Sequence, residues 1–156
     1  ALPIYYDCGV LLGLSELRSD ERVLQILLKY TKAGQSMFVR RTAVDALARY
    51  GSAKPNSVIE HLIELTRDSN YFVRMVAIHA LESLGEDRAI GALKKVCDTV
   101  VDPRTSRAAL VAIKSIRDGR SRNDEVEKLK GEIDRLRTQY SEVLSRVEKL
   151  EVGKAK

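Results

Sequence analysis

The sequence has no tryptophan, and aromatic residues make up only 5% of its 156 residues. So few rings argue against a surface that stacks the bases of single-stranded nucleic acid. Its two cysteines, Cys8 and Cys97, are too few and too far apart for the framework of a disulfide-rich secreted domain. Every apolar run is shorter than the roughly 20 residues that a membrane-spanning helix needs. These absences predict a cytoplasmic protein with no membrane segment.

The sequence does contain a motif that recurs after 34 residues. Residues 38–51 read FVRRTAVDALARYG, and residues 72–85 read FVRMVAIHALESLG. A fixed period of this length is typical of solenoids built from stacked helix pairs. The sequence therefore predicts an all-α fold, an alpha solenoid of about three and a half helix pairs.

The predicted helix pairs follow one another along the chain. They comprise residues 1–33, then 37–50 with a helix that begins at Pro55, then 70–84 with 86–100. Pro103 starts a fourth first helix, since proline is common at the first helical position, and the partner of that helix is missing.

The first predicted helix, residues 3–17, places Val10, Leu14 and Leu17 at helical spacing, so we expect them to face the core. The chain is apolar from its first residues. We therefore expect that it is part of a longer protein whose preceding domain covers this face.

From Asp124 the pattern changes to a strict heptad over four repeats, which is typical of a coiled coil. The apolar residues alternate three and four apart, at Val126, Leu129, Ile133, Leu136, Tyr140, Val143, Val147 and Leu150. We predict a homodimer through this helix. The flanking charges favour a parallel pair, whereas the bulky Tyr140 favours an antiparallel one, and a helix that folds back on its own repeats is the alternative to a dimer.

The change of pattern divides the chain into predicted segments. A hinge is expected at DGRSRN, residues 118–123, because this stretch is polar, contains glycine and fits neither pattern. The segments are a helical-repeat domain at 1–119, a hinge at 120–123, a coiled-coil helix at 124–151 and a frayed tail at 152–156.

The first helices at 37–50 and 70–84 open with Val-Arg-x-x-Ala, and the second of them closes with Leu-Gly, which resembles HEAT repeats. Asp68 and Arg74 fit the Asp and Arg positions of that motif. Three stretches and the charged heptad tail also resemble the helical C-terminal region of zinc aminopeptidases of the aminopeptidase N family. The stretches are GLSELRSDERVLQILLKY, FVRRTAVDALARYG and YFVRMVAIHALESLGEDRAIGALKKV. The resemblance implies a HEAT-like solenoid that forms the non-catalytic tail of a metallopeptidase.

The catalytic motif of that family, H-E-x-x-H, is not in this sequence. His61 is followed by Leu-Ile-Glu and His79 by Ala-Leu-Glu, and the chain has no other histidine. A catalytic zinc takes three protein ligands, so we expect no catalytic residue, metal or cofactor here. Zinc would be bound only in a catalytic domain outside this sequence. The predicted function is therefore a non-catalytic protein-interaction and dimerisation module.

Arginines recur near the starts of the first helices and define a predicted basic strip: Arg40, Arg41, Arg74, Arg104 and Arg107. This strip would face a ligand, either phosphates or an acidic peptide in the solenoid groove. The structural interpretation, which we favour, is that such an arginine pairs with a nearby acid, for example Arg74 with Asp68.

The other arginines of the basic strip have fewer acids close by in sequence and are the better candidates for ligand contact. A nucleic-acid-binding HEAT protein that uses the strip on phosphates is the alternative function. The formal net charge of +5 is modest for that role.

Overall fold

The computed structural model describes residues 4–17, 20–53 and 55–154, with side chains described from residue 6 to residue 142 within those ranges. These residues form seven α-helices and no strand, which confirms the predicted solenoid fold with a long C-terminal helix. The helices are α1 (Ile4–Ser15), α2 (Glu21–Thr31), α3 (Met37–Gly51), α4 (Pro55–Leu65), α5 (Tyr71–Leu84), α6 (Arg88–Thr99) and α7 (Pro103–Lys154).

Short polar side chains fix where several helices begin. The carboxylate or amide oxygen of Asp20, Asn70 and Asp102, and the hydroxyl of Ser36, accept hydrogen bonds from backbone N–H groups of the first turn. These N–H groups have no partner within the helix, so such caps stabilise its start by about 1 kcal/mol each. At the other end of α5, Gly85 adopts a φ of 67°, a left-handed conformation that favours glycine and stops the helix.

The repeats share one continuous core. Helix α3 packs against four other helices, namely α1, α2, α4 and α5. Its inner face is fully packed, because five apolar side chains at helical spacing are at most 3% exposed: Val39, Ala43, Ala46, Leu47 and Tyr50. Full burial of a Val or Leu side chain contributes about 1.5–3 kcal/mol, so stacking is the main source of stability of these short helices.

Helix α1 agrees with its predicted inner face only at Leu14, which is half-buried and packs against the core. Val10 is 60% exposed and Leu17 is 55% exposed, whereas Leu11 is buried at 2% exposure. The helix is apolar on nearly all sides (IYYDCGVLLGLS), so the spacing of its apolar residues does not single out one face. The contact with α3 decides which side chains are buried.

Contacts between residues divide the chain into two compact units, Ala1–Arg117 and Asp118–Lys156. Helix α7 begins in the first unit, where Ala109, Ala112, Ile113 and Ile116 are buried in the repeat core. In the second unit, every side chain described from Arg120 to Glu142 is exposed.

Residues 120–123, predicted as a hinge, are helical in the structure. The stretch has no proline, and Gly119 weakens a helix by only about 1 kcal/mol relative to alanine, so nothing local breaks the chain of hydrogen bonds. The helix also continues to Lys154, past the predicted end near Glu151, while residues 155 and 156 lie outside the described part. No helix in the described ranges combines the length and apolar character needed to cross a membrane.

Candidate functional site

Arg40 is buried, contrary to the prediction that it faces a ligand. It is 8% exposed, and its Nε donates a hydrogen bond to the carbonyl oxygen of Thr31 at 2.7 Å. Its Nη1 donates to Asp68 Oδ1 at 3.1 Å, and its Nη2 donates to Asp68 Oδ2. A bidentate pair of this kind is among the strongest side-chain contacts in proteins. Arg40 therefore joins the repeat of α3 to the loop that precedes α5, and the basic strip is not continuous.

Asp68 keeps its negative charge in this contact. Partial burial raises the pKa of its carboxyl group, but the hydrogen bonds from Arg40 and from the Asn70 N–H outweigh that effect. The positive charges of Arg40 and Arg74 act in the same direction as these hydrogen bonds, so the pKa of Asp68 lies below its ordinary value. The carboxylate thus stays ionised in the ion pair that joins two repeats.

Arg74 contacts the same loop in another way. Its Nη1 donates hydrogen bonds to the carbonyl oxygens of Asp68 and Ser69, at 2.8 and 3.0 Å, and its guanidinium lies 5.9 Å from the centre of the Tyr71 ring. The predicted pairing of Arg74 with Asp68 thus takes place through the backbone, because the Asp68 carboxylate is bound to Arg40. The Nε of Arg74 is buried and has no hydrogen-bond partner among the described residues.

The remaining members of the basic strip are accessible. Arg41, Arg104 and Arg107 are exposed, and within the described ranges none of their side chains forms an ion pair or a hydrogen bond. Their contact with a ligand stays a prediction. The structure therefore separates the strip into one buried arginine, one half-buried arginine and three exposed ones.

A cavity of about 660 Å³ lies beside Arg74, between the loop after α4 and the segment before α7. We call it the loop pocket. Its walls include the cationic side chains of Arg67, Arg74 and Lys95, the apolar Val100 and Val101, and the carboxylate of Asp102. The sequence motifs did not point to Arg67 or Lys95, because neither belongs to the repeated Val-Arg-x-x-Ala pattern. The sequence signal that could have found this place is the recurrence of Arg40 and Asp68 as Arg74 and Asp102, 34 residues later.

The two histidines make local contacts on different helices. In α4, His61 Nε2 lies 2.7 Å from Thr31 Oγ1, while in α5 His79 Nδ1 lies 3.4 Å from Glu82. Burial lowers the pKa of His61, and the charge of Lys32 acts in the same direction, against the effect of Glu64. A neutral imidazole that bonds a buried threonine hydroxyl suits a structural role.

The second unit carries an apolar stripe on α7, which we call the heptad seam. Its described side chains are between 48% and 65% exposed: Val126, Leu129, Ile133, Leu136 and Tyr140. The side chains of Val143, Val147 and Leu150, predicted to extend this stripe, lie outside the described part. Ion pairs flank it, from Lys130 to Glu127 at 2.8 Å and from Arg137 to Asp134 at 3.7 Å, and such pairs stabilise a helix by a few tenths of a kcal/mol.

The repeat geometry agrees with a comparison against protein families. Residues 38–114, from the start of α3 into α7, match the family model described as HEAT repeats. This part of the chain is therefore similar to HEAT repeats. Repeats of this kind stack into extended surfaces that bind other proteins, which makes the matched part a protein-interaction module. None of the curated proteins compared with the chain matches it, and the comparisons give no link to the aminopeptidase N family.

Proposed function

We propose that the chain is a non-catalytic interaction module in which the HEAT repeats bind a protein partner and α7 forms a homodimer. One observation carries the dimer: five large apolar side chains with coiled-coil spacing lie exposed on a continuous helix. Contiguous exposed apolar patches usually mark interaction sites. Covering the exposed half of each side chain would contribute about 1 kcal/mol, so a short seam sums to a stable contact.

The identity of the seam residues favours a pair of helices. Val126 and Ile133 are β-branched at one heptad position, and Leu129 and Leu136 occupy the other, which is the combination that two-stranded parallel coiled coils prefer. In a parallel pair, Glu132 would lie opposite Arg137 of the second copy. The Tyr140 layer favours the antiparallel arrangement, and both orientations serve the same function.

Light scattering tests the dimer. The wild-type chain should show twice its chain mass of 17.5 kDa, and Ile133→Asp should show the monomer mass, because a charge in the seam would be buried without a partner. Thr138→Asp is the matched control: it places the same residue on the outer face of the same helix and should leave the dimer intact. A wild-type monomer at tens of micromolar would contradict the proposal and would favour a helix that folds back on the repeats.

The proposal also includes the finer predictions from the sequence, namely that the chain forms the C-terminal part of an aminopeptidase N-like protein, has no peptidase activity of its own and is located in the cytoplasm. The support for the parentage is the resemblance of the repeats and the heptad tail. An H-E-x-x-H motif upstream of Ala1 in a longer chain would favour it, and a longer chain with no such motif would contradict it. We do not propose nucleic-acid binding, because the burial of Arg40 interrupts the basic strip that it would need.

A further inference from the structure

The two best-matched repeats each contain a couple of one arginine and one aspartate, and the two couples make different contacts. Arg40 and Asp68 are 28 residues apart, and Arg74 and Asp102 stand 34 residues after them, also 28 apart. The first couple forms the bidentate ion pair. In the second couple, Arg74 binds backbone carbonyls, while the Asp102 carboxylate caps α7 through Thr105 Oγ1 at 2.7 Å and through two backbone N–H groups. Among the described residues, no carboxylate binds the guanidinium of Arg74.

The loop pocket lies beside this unpaired guanidinium. Arg67, Arg74 and Lys95 line it with three positive charges, against the carboxylates of Asp68 and Asp102. Arg40 already neutralises the charge of Asp68. Asp102 caps a helix, and the hydrogen bond from Thr105 stabilises its carboxylate and lowers its pKa. The pocket therefore has an excess of positive charge.

Three cationic side chains of the pocket have donor groups that no carboxylate in the described part of the chain binds. The Nε of Arg74 is buried without a partner in the described part of the chain, although buried donors are nearly always hydrogen-bonded. The side chains of Arg67 and Lys95 are exposed and make no ion pair with any described residue. A ligand with negatively charged oxygens would pair with the exposed side chains of Arg67 and Lys95, and its charge would act on the adjacent guanidinium of Arg74.

We propose that the loop pocket binds a carboxylate side chain from an acidic, partly apolar segment of a protein partner. This proposal rests on the proposed role as an interaction module and names its ligand chemistry. A carboxylate is favoured over a phosphate because the equivalent arginine of the preceding repeat, Arg40, binds a carboxylate. Val100, Val101 and the aliphatic stem of Lys95 offer apolar walls for the neighbouring residues of the segment. A volume of about 660 Å³ is within the usual range of ligand pockets.

Nuclear magnetic resonance of the ¹⁵N-labelled chain tests the site with the peptide acetyl-Val-Glu-Val-Glu-Val-amide. Because the Nε–H of Arg74 has no partner, its signal should shift in a saturable way when the peptide is added. The peptide with glutamine in place of glutamate should bind at least about tenfold more weakly, since it carries no charge. Inorganic phosphate at constant ionic strength should not displace the peptide.

Two charge reversals on α6 separate specific binding from general attraction. Lys95→Glu should weaken the peptide at least about tenfold, because it sets a like charge against the ligand. Lys94→Glu makes the same change of net charge at an exposed neighbour that does not line the pocket, and should weaken it by less than about threefold.

Each contrary result overturns the assignment. Equal losses for Lys94→Glu and Lys95→Glu, or a signal of Arg74 that does not respond to the peptide, would show that the pocket is not the site. Displacement by phosphate would show that it is a phosphate site. Repeating the titration on Ile133→Asp keeps the two proposals separate, because peptide binding should persist in a chain that no longer dimerises.

Discussion

Asp68 shows how one buried side chain connects two repeats. Asp68→Asn would leave the guanidinium of Arg40 buried beside a neutral amide, and loss of one partner of a buried ion pair costs about 3–5 kcal/mol. Urea unfolding measures the change. Asp45→Asn is the control, because Asp45 pairs with Arg49 on the exposed face of α3 and such pairs contribute about 0–1 kcal/mol. Equal effects of the two substitutions would contradict the structural role of Asp68.

The same carboxylate makes stability depend on pH. Because the pKa of Asp68 is lower in the folded chain than in the unfolded chain, its contribution is complete above its unfolded-state pKa. The contribution is lost as the pH falls through the lower, folded-state pKa. Between neutral pH and about pH 3, the wild-type chain should therefore lose more free energy of unfolding than Asp68→Asn does. Parallel pH profiles of the two chains would argue against a lowered pKa.

Gly51 is required for close packing rather than for an unusual backbone conformation. It lies in the last turn of α3, and a Cβ built on it would clash with Val58 Cγ2 of α4. Gly51→Ala should therefore destabilise the repeats by about 1–3 kcal/mol, as overpacking does. At Gly131 of α7 nothing lies within 4 Å of such a Cβ, so Gly131→Ala should stabilise its helix by up to about 1 kcal/mol. Thermal unfolding of both variants decides the sign, and stabilisation by Gly51→Ala would refute the packing argument.

At the scale of the element, the buried face of an amphipathic helix could be predicted from the sequence, whereas that of a uniformly apolar helix could not. In α3, small and large apolar residues alternate with charged ones, and the apolar stripe from Val39 to Tyr50 is buried. In α1 apolar residues surround the whole helix, so its buried face depends on the contact with α3. The heptad seam was predictable as a pattern, but the continuity of α7 through residues 120–123 was not, since polar residues with one nearby glycine fit a loop or a helix equally well.

Contacts between elements were harder still to predict. The partner of Arg40 lies 28 residues away, in the loop before the next repeat, whereas sequence reasoning compared each arginine with acids in its own turn. The loop pocket has the same origin, because its walls come from α5, α6 and the segments that flank them. Such sites depend on how repeats stack. The sequence indicates them only through the couple of Arg40 and Asp68, which recurs as Arg74 and Asp102.

For the molecule as a whole, the two units should contribute different properties. The repeat core ends at Ile116, and the division between the units follows Arg117. Repeat stability is approximately a sum over repeats and their interfaces, so residues beyond that core should add little to it. The heptad seam, in contrast, should determine the oligomeric state, because a lone helix of this kind is only marginally stable in water.

Deletion of residues 120–156 tests this division. The shortened chain should be a folded monomer whose free energy of unfolding lies within about 1 kcal/mol of that of the repeats in Ile133→Asp, because both keep the same core. Far-ultraviolet circular dichroism across a dilution series supplies the second measurement. The wild-type chain should lose helical signal on dilution as α7 dissociates and frays, whereas the shortened chain should lose none. A shortened chain that still dimerises would place the interface on the repeats, and one that fails to fold would show that their stability depends on α7 beyond residue 119.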